Sequence, residues 1–286
     1  YITNSILIHD YLNVCYKGEH TADAEWLIKH KIDITKVCVE TIDKKDVKKI
    51  VTPLERSCER QYVETINPLI TNLEKQTLED RNKILCSSLS ITIKRLGDDE
   101  ATYKKSNEEP DEKFDEESNE YIECYKLVLQ AVKRMKDLDT EQYEDIFQQT
   151  PLFYANYYNH PKIAVEILET VCLINDRSGV SPIYQIDTKT LEEHLDRCIT
   201  TEKGPSDNPG THIKFNFETL LCRERHKHET SKAHNETEVL FKIRNSNKFD
   251  NLLLHPVIVA FLLMKWKGTK LYEIFYWFRL FFWGFN

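Results

Sequence analysis

The chain has 286 residues, of which 41% are hydrophobic and 30% charged. This supplies enough apolar material for one large domain or two small ones and excludes a disordered chain, while the few glycines and prolines, 7 and 9, favour an all-α fold over a turn-rich sandwich or barrel. The net charge of −8 lies entirely in residues 98–120, where eleven acidic side chains face three lysines (3 − 11 = −8), so no basic footprint for nucleic acid is predicted.

The start of the sequence and the spacing of its cysteines bear on the length of the parent protein and on its redox compartment. It begins at Tyr1, with neither an initiator methionine nor a signal-peptide pattern, so we expect a piece of a longer protein. Its 8 cysteines are spread singly, without a Cys-x-x-Cys pair. This spacing predicts reduced thiols in the cytosol.

The first third of the chain contains a helix-opening motif. Thr52, Pro53 and Leu54 are followed by the small residue Ser57 and by an apolar second segment up to residue 70. Proline in a first helical turn loses no hydrogen bond, and a threonine before it can cap the free amides. The motif therefore predicts a pair of short helices.

The same motif returns in the middle of the chain. Thr150, Pro151 and Leu152 open the segment, Ala155 is the small residue, and 163–168 supply the second helix. Both segments resemble ankyrin repeats, although the spacing between the openings far exceeds the repeat length of about 33 residues. We interpret residues 1–180 as degenerate ankyrin repeats, with further units over 5–34 and from residue 84 to 135. An arbitrary helical domain is the alternative.

Residues 98–120 interrupt these repeats. High like-charge density and low hydrophobicity predict a solvated loop, because such a segment cannot bury enough surface to fold alone. Calcium collection or partner docking is the alternative function, although the carboxylates lack the spacing of an EF-hand.

Residues 181–250 are predicted to form a linker. A helix over 186–199 begins with a capping box if Thr188 or Thr190 is the cap. After a loop at 204–210, the alternation over 212–217 predicts a strand, and 239–243 is a second strand candidate, giving a small antiparallel unit.

The last thirty-six residues differ in character. Residues 251–268 read as a helix beginning after His255 and Pro256 and ending near Lys265 and Trp266, and 269–286 as the start of a membrane span. Nine of the sixteen residues over 271–286 are aromatic, and their length of about 24 Å falls short of the roughly 30 Å of bilayer hydrocarbon. The lysines before them place the preceding repeats in the cytosol. An interfacial amphipathic helix is the alternative.

The residues around His255 carry a resemblance to a known family. Leu-Leu-His-Pro-Val at 253–257, followed by Met-Lys-Trp at 264–266, resembles the segment before the first membrane helix (S1) of TRPA-type transient receptor potential cation channels. The helix over 191–199 and the run from Phe215 to Leu220 resemble the linker of an insect group in that family. The resemblance implies a homotetrameric, non-selective, calcium-permeable channel of the plasma membrane, with this region in the cytosol and its C-terminus in contact with lipid. The resemblance also implies a pre-S1 segment that couples the cytosolic region to the membrane domain. This segment would contain His255, Pro256, Lys265 and Trp266.

Other chemistry is weakly indicated. Four residues form a cluster of zinc-ligand types, but their spacing matches no standard finger, and coincidence is the favoured interpretation: Cys222, His226, His228 and His234. The same resemblance implies a linker in which electrophiles can modify cysteines, and Cys198 and Cys222 lie in that region, but we predict inert thiols there. The sequence shows no phosphate loop, no nucleophile elbow and no paired catalytic carboxylates, so we predict no enzyme and no cofactor.

The prediction is therefore a mainly α chain: an irregular ankyrin-repeat solenoid with a small antiparallel β unit and a truncated C-terminal transmembrane helix. Two other functions remain open. One is a soluble ankyrin scaffold that binds protein partners and lies on a membrane through its aromatic tail. The other is a metal-responsive regulator built on the cluster at Cys222.

Overall fold

The computed structural model divides the chain into two compact units, Tyr1–Gln185 and Ile186–Asn286, which are described separately. The residues that it describes are 29, 38–42, 47–73, 75–106, 120–135, 138–145, 148–171, 173, 181–203, 211–218, 220 and 238–268.

The first unit begins with an antiparallel hairpin and continues as helices. In the hairpin, Cys38 pairs with Val51 and Ile42 with Val47. The elements in chain order are β1 Cys38–Ile42, β2 Val47–Val51, α1 Pro53–Glu59, α2 Val63–Leu73, α3 Leu78–Ser106, α4 Glu120–Arg134, a 3-10 turn Thr140–Gln142, α5 Pro151–Tyr157, α6 Pro161–Leu168 and α7 Pro182–Gln185.

Both Thr-Pro-Leu motifs open helices. Thr52 accepts a hydrogen bond from the amide of Glu55, whose carboxylate accepts one from the amide of Thr52 in return, closing a capping box. Thr150 accepts from the amide of Phe153 in the same way. In each motif proline stands in the first turn, where it leaves no amide unpaired. The predicted capping role of the two threonines is confirmed.

Helix α3 is the longest described helix of this unit and packs against several of the others. Its 29 residues pack against α1, α4 and α5, and α2 packs against α4. The core on α3 includes Leu85, Leu89, Ile93 and Leu96, each at most 1% exposed.

Because α3 runs to Ser106, the prediction of a loop is wrong over 98–106. Asp98 shows one reason, since its carboxylate accepts a hydrogen bond from Lys94 one turn earlier and another from Tyr158. Residues 107–119 of the predicted loop lie outside the described residues.

The second unit combines short helices with a two-stranded sheet. Strands β3 and β4 are antiparallel, with Ile199 opposite Phe215 and Lys203 opposite Thr211. The elements in chain order are α8 Thr188–Arg197, β3 Ile199–Lys203, β4 Thr211–Phe215, α9 Glu238–Asn245, a 3-10 turn Asp250–Leu254 and α10 Pro256–Gly268.

Two local predictions in this unit are wrong. The cap of α8 is Asp187, whose carboxylate accepts from the amide of Thr190, and neither Thr188 nor Thr190 is the cap. The second strand candidate is helix α9. Val239, Leu240 and Ile243 are its buried residues, and this spacing matches one face of a helix, whereas Phe241 is 53% exposed. The partner of β4 is therefore β3.

The described residues are mainly helical with a small antiparallel sheet in the second unit, as predicted, whereas the hairpin of β1 and β2 was not predicted. None of the helices they form has both the length and the apolar character needed to cross a bilayer. Residues 269–286, where we predict the start of a membrane span, lie outside them.

Candidate functional site

The turns of the two Thr-Pro-Leu helix pairs have the same backbone conformation. Gln61 and Asn159 have positive φ values of 64° and 57°, and each stands nine positions after its threonine cap (61 − 52 = 9 and 159 − 150 = 9). Residues other than glycine adopt this left-handed conformation rarely, although asparagine does so more readily than most. Neither residue was singled out from the sequence, where only the asparagine gives a signal.

The hydrogen bonds after these turns also correspond. The amide of Tyr62 donates to the carbonyl of Ser57 over 2.9 Å, and that of His160 to the carbonyl of Ala155 over 2.8 Å. Both acceptors are the small residues of the motif, and both are fully buried. The first unit therefore contains two helix pairs of one design.

A third opening was missed in the sequence. Ser181, Pro182 and Ile183 stand 31 residues after the second motif (181 − 150 = 31) and open the short helix α7, which packs against α5. Ser181 and Ile183 are buried, and the serine hydroxyl donates to the carbonyl of Leu173 over 2.5 Å. The sequence signal for this opening is Ser-Pro-Ile, a variant of Thr-Pro-Leu in which serine replaces threonine and isoleucine replaces leucine.

In the second unit, His255 sits where α10 begins. Its Nδ1 atom accepts a hydrogen bond from the amide of Val257 over 3.3 Å, so the ring proton is on Nε2 and points to Asp196 Oδ1, 3.1 Å away. The ring is buried, and Pro256 follows in the first helical turn. His255 thus caps α10 and ties it to the end of α8. The sequence contained no signal for Asp196 as its partner.

Aromatic rings join α10 to the end of the sheet. The ring centroids of Phe217 and Phe261 are 5.6 Å apart, and Phe215 stacks on Phe217 at 6.1 Å. Lys265 Nζ lies 5.6 Å from the centroid of the Phe261 ring, a cation–π contact. Because Phe261 is fully buried, α10 is anchored along one side.

The other side of α10 is apolar and open among the described residues. Four of its side chains are between 38% and 49% exposed: Val259, Leu262, Leu263 and Met264. Single exposed apolar residues are common, but contiguous ones mark contact surfaces for protein or membrane. The backbone of Trp266 lies in the same helix. We call these four residues the open face of α10.

The other sequence candidates divide into two groups. Cys222, His226, His228 and His234 lie outside the described residues. Within the described part of the chain, no group of three or more histidine, cysteine or acidic side chains could hold a metal ion. Cys198 is the C-cap residue that follows α8 and is 7% exposed, and its carbonyl accepts a hydrogen bond from the amide of Asn216.

Comparison with known proteins gives one relationship. No family model matches the chain. The transient receptor potential cation channel protein painless of Drosophila melanogaster is 28% identical over 155 residues, which are 54% of this chain. The chain spans 16% of that channel's length. This similarity relates the chain to a transient receptor potential cation channel, which is by name an ion channel and not an enzyme.

Proposed function

We propose that the chain is the cytosolic sensory and assembly region of a non-selective, calcium-permeable, homotetrameric cation channel of the plasma membrane, gated by heat, irritants or mechanical load. The similarity to painless carries this proposal, since that relative is by name a cation channel. In this account residues 1–180 are ankyrin-type repeats, and 251–268 are the pre-S1 segment that includes His255, Pro256, Lys265 and Trp266.

The arrangement of the two helix pairs supports the repeat assignment. Ankyrin-type units are helix pairs that bury their apolar faces against neighbouring units. Pairs α1–α2 and α5–α6 both pack within the pair, and their first helices both lie against α3. Leu54 and Leu152, the third residues of the two motifs, are at most 1% exposed. The motif thus supplies core contacts as well as caps.

The second unit supports a role next to a membrane. Helix α10 is held on one side by the Phe261 ring and at its start by His255, while its open face is apolar. We assign the open face to membrane lipid, because three lysines at 265, 267 and 270 flank the aromatic segment that follows, as at cytosolic membrane boundaries. Mechanical force on this helix would be transmitted to α8 through the contact between His255 and Asp196.

An ankyrin scaffold for protein partners is the second candidate. One observation favours it: the exposed face of α5 bears stacked aromatic rings, with Phe153 and Tyr157 centroids 5.9 Å apart and Tyr157 69% exposed. Exposed aromatic residues are common anchors of protein interfaces.

Topology and assembly separate the two candidates. The complete protein that contains this chain would be expressed in cultured cells with an epitope inserted at 204–210. The channel proposal predicts that antibody binds only after permeabilisation and that detergent-solubilised protein is a tetramer. Recovery as a soluble monomer would favour the scaffold, and labelling of intact cells would contradict the cytosolic placement.

A further inference from the structure

The turn after α9 contains a serine whose hydroxyl has no hydrogen-bond partner among the described residues. Ser246 lies between the end of α9 and the 3-10 turn Asp250–Leu254, and it is half-buried. Its amide donates to the carbonyl of Lys242 over 3.1 Å, and its carbonyl accepts from the amide of Phe249 over 2.8 Å. The backbone of this serine is therefore hydrogen-bonded on both sides, while its hydroxyl is available for chemistry.

The other described serines and threonines outside helices and strands use their hydroxyls in hydrogen bonds. Three of these hydroxyls accept from an amide three residues later, and two donate to backbone carbonyls: Thr52, Thr77 and Thr150 in the first group, Thr170 and Ser181 in the second. Thr77 is exposed, and the other four are buried. Ser246 is thus distinguished by its hydroxyl.

Basic side chains flank Ser246 in the sequence. Lys242 and Arg244 stand four and two residues before it, and Lys248 two residues after it, whereas residues 239–249 contain no aspartate or glutamate. Arg244 and Lys248 are exposed, and Arg244 has no ion-pair partner in the part of the chain that the structure describes. Serine kinases select their substrates by charge, and this pattern suits a kinase whose substrate cleft is acidic.

A kinase must also reach the backbone on both sides of the hydroxyl. Helix α9 has only eight residues, and its buried side chains, Val239, Leu240 and Ile243, all precede the last two positions. Asn245 and Asn247 are exposed, and asparagine is a weak helix former. Because helix ends open at a low free energy, the last turn of α9 can unwind without exposing its apolar side chains.

We propose that Ser246 is a phosphorylation site for a serine kinase that recognises basic residues, and that its phosphate draws Lys248 away from α8. In the transfer, a bond forms between Ser246 Oγ and the γ-phosphorus of a magnesium-bound nucleoside triphosphate. The bond from this phosphorus to the β–γ bridging oxygen breaks, the hydroxyl proton passes to a base of the kinase, and the nucleoside diphosphate leaves. This inference is independent of the proposed channel function.

The effect of the phosphate follows from the contacts of Lys248. Its Nζ atom donates to the carbonyl of Ile186, which precedes the cap of α8, and lies 5.1 Å from the ring centroid of Phe249. Its own carbonyl accepts from the hydroxyl of Thr188 over 2.9 Å. A phosphate binds an ammonium group more strongly than a neutral carbonyl does. Phosphorylation therefore removes the side-chain contact with α8 and leaves the backbone contact.

Phosphorylation of the complete 286-residue chain in vitro tests the site. The probes are two purified kinase catalytic domains with magnesium ATP, one that selects basic residues around serine and one that selects acidic residues. The first should phosphorylate Ser246, as located by peptide mass spectrometry, and the second should not. Arg244→Gln should lower kcat/KM of the first about tenfold, since a hydrogen bond to a charged group is worth at least this factor. Lys214→Gln, at an exposed position of β4, should leave it unchanged.

A wild-type chain that the basophilic kinase leaves unmodified at Ser246 would overturn the assignment, and this reading does not require any variant to fold. The assignment would equally be overturned by a rate for Arg244→Gln equal to that of wild type, or by modification of Ser246 by the acidophilic kinase.

Hydrogen exchange tests the withdrawal of Lys248. The amides of Thr190 and Leu191 both donate to Asp187, the cap that follows Ile186. In the phosphorylated chain their protection factors should fall about tenfold, because the charged hydrogen bond beside the cap is lost. Lys248→Met should give the same fall without a phosphate. Protection of these amides that phosphorylation leaves unchanged would contradict the withdrawal.

Discussion

At the residue scale, Gly97 determines how closely α3 and α5 approach. A Cβ atom placed on Gly97 would lie 2.1 Å from Cγ of Tyr158, well inside van der Waals contact. The tyrosine hydroxyl in turn donates to Asp98, the next residue of α3. Glycine in mid-helix is otherwise unfavourable, so the ring contact is the reason this position accepts it.

We predict that Gly97→Ala destabilises the chain by about 1–3 kcal/mol, because the overpacked ring must shift. Denaturant unfolding would measure the change. In Tyr158→Ala the added methyl meets no ring, so Gly97→Ala in that background should cost much less or become stabilising, as alanine favours helix. Equal effects in the two backgrounds would show that Tyr158 is not the obstacle.

Some residue roles could be predicted from the sequence, and others depend on the tertiary fold. Thr52 and Thr150 could be identified as caps, because capping is local and the proline beside them restricts the choice. Asp196 could not, since its partner, His255, is brought to it by the packing of other elements.

At the element scale, the helices that open with Thr-Pro-Leu depend on their leucines for packing. Leu152 is fully buried in α5 between neighbouring helices. We predict that Leu152→Ala costs about 2–5 kcal/mol of unfolding free energy, through lost contacts and the cavity left behind. Thermal and urea melts would measure it, with Ile213→Ala at a 57% exposed position of β4 as the control. A loss below about 0.5 kcal/mol would remove the assigned role of this leucine in the core.

Secondary-structure prediction was correct where the hydrophobic pattern in the sequence was longer and wrong where it was shorter. Alternation over 212–217 gave β4, but the five residues over 239–243 fit a strand and a helix face equally well, and burial selected the helix α9. The acidic residues over 98–106 also misled, because charge alone predicts a loop. There α3 continues, since its charged residues form hydrogen bonds one turn apart and to Tyr158.

At the scale of the whole molecule, α10 is the element through which the proposed coupling would pass. Trp266 follows the open face, and an amphipathic ring beside lysines suits the lipid headgroup boundary. In the complete protein we predict that Trp266→Ala reduces stimulus-evoked current more than surface expression. Trp266→Phe, which keeps a ring, should be close to wild type. Normal currents in Trp266→Ala at matched surface expression would make residues 251–268 a passive spacer.

The proposed channel function is tested most directly by whole-cell recording. Cells expressing the complete protein that contains this chain would be exposed to heat, an irritant electrophile and membrane stretch, with surface expression verified in the same cells. The proposal predicts a current evoked by at least one stimulus, carried by sodium, potassium and calcium alike and absent from untransfected cells. A protein that reaches the surface and passes no current under any of the three stimuli would contradict it.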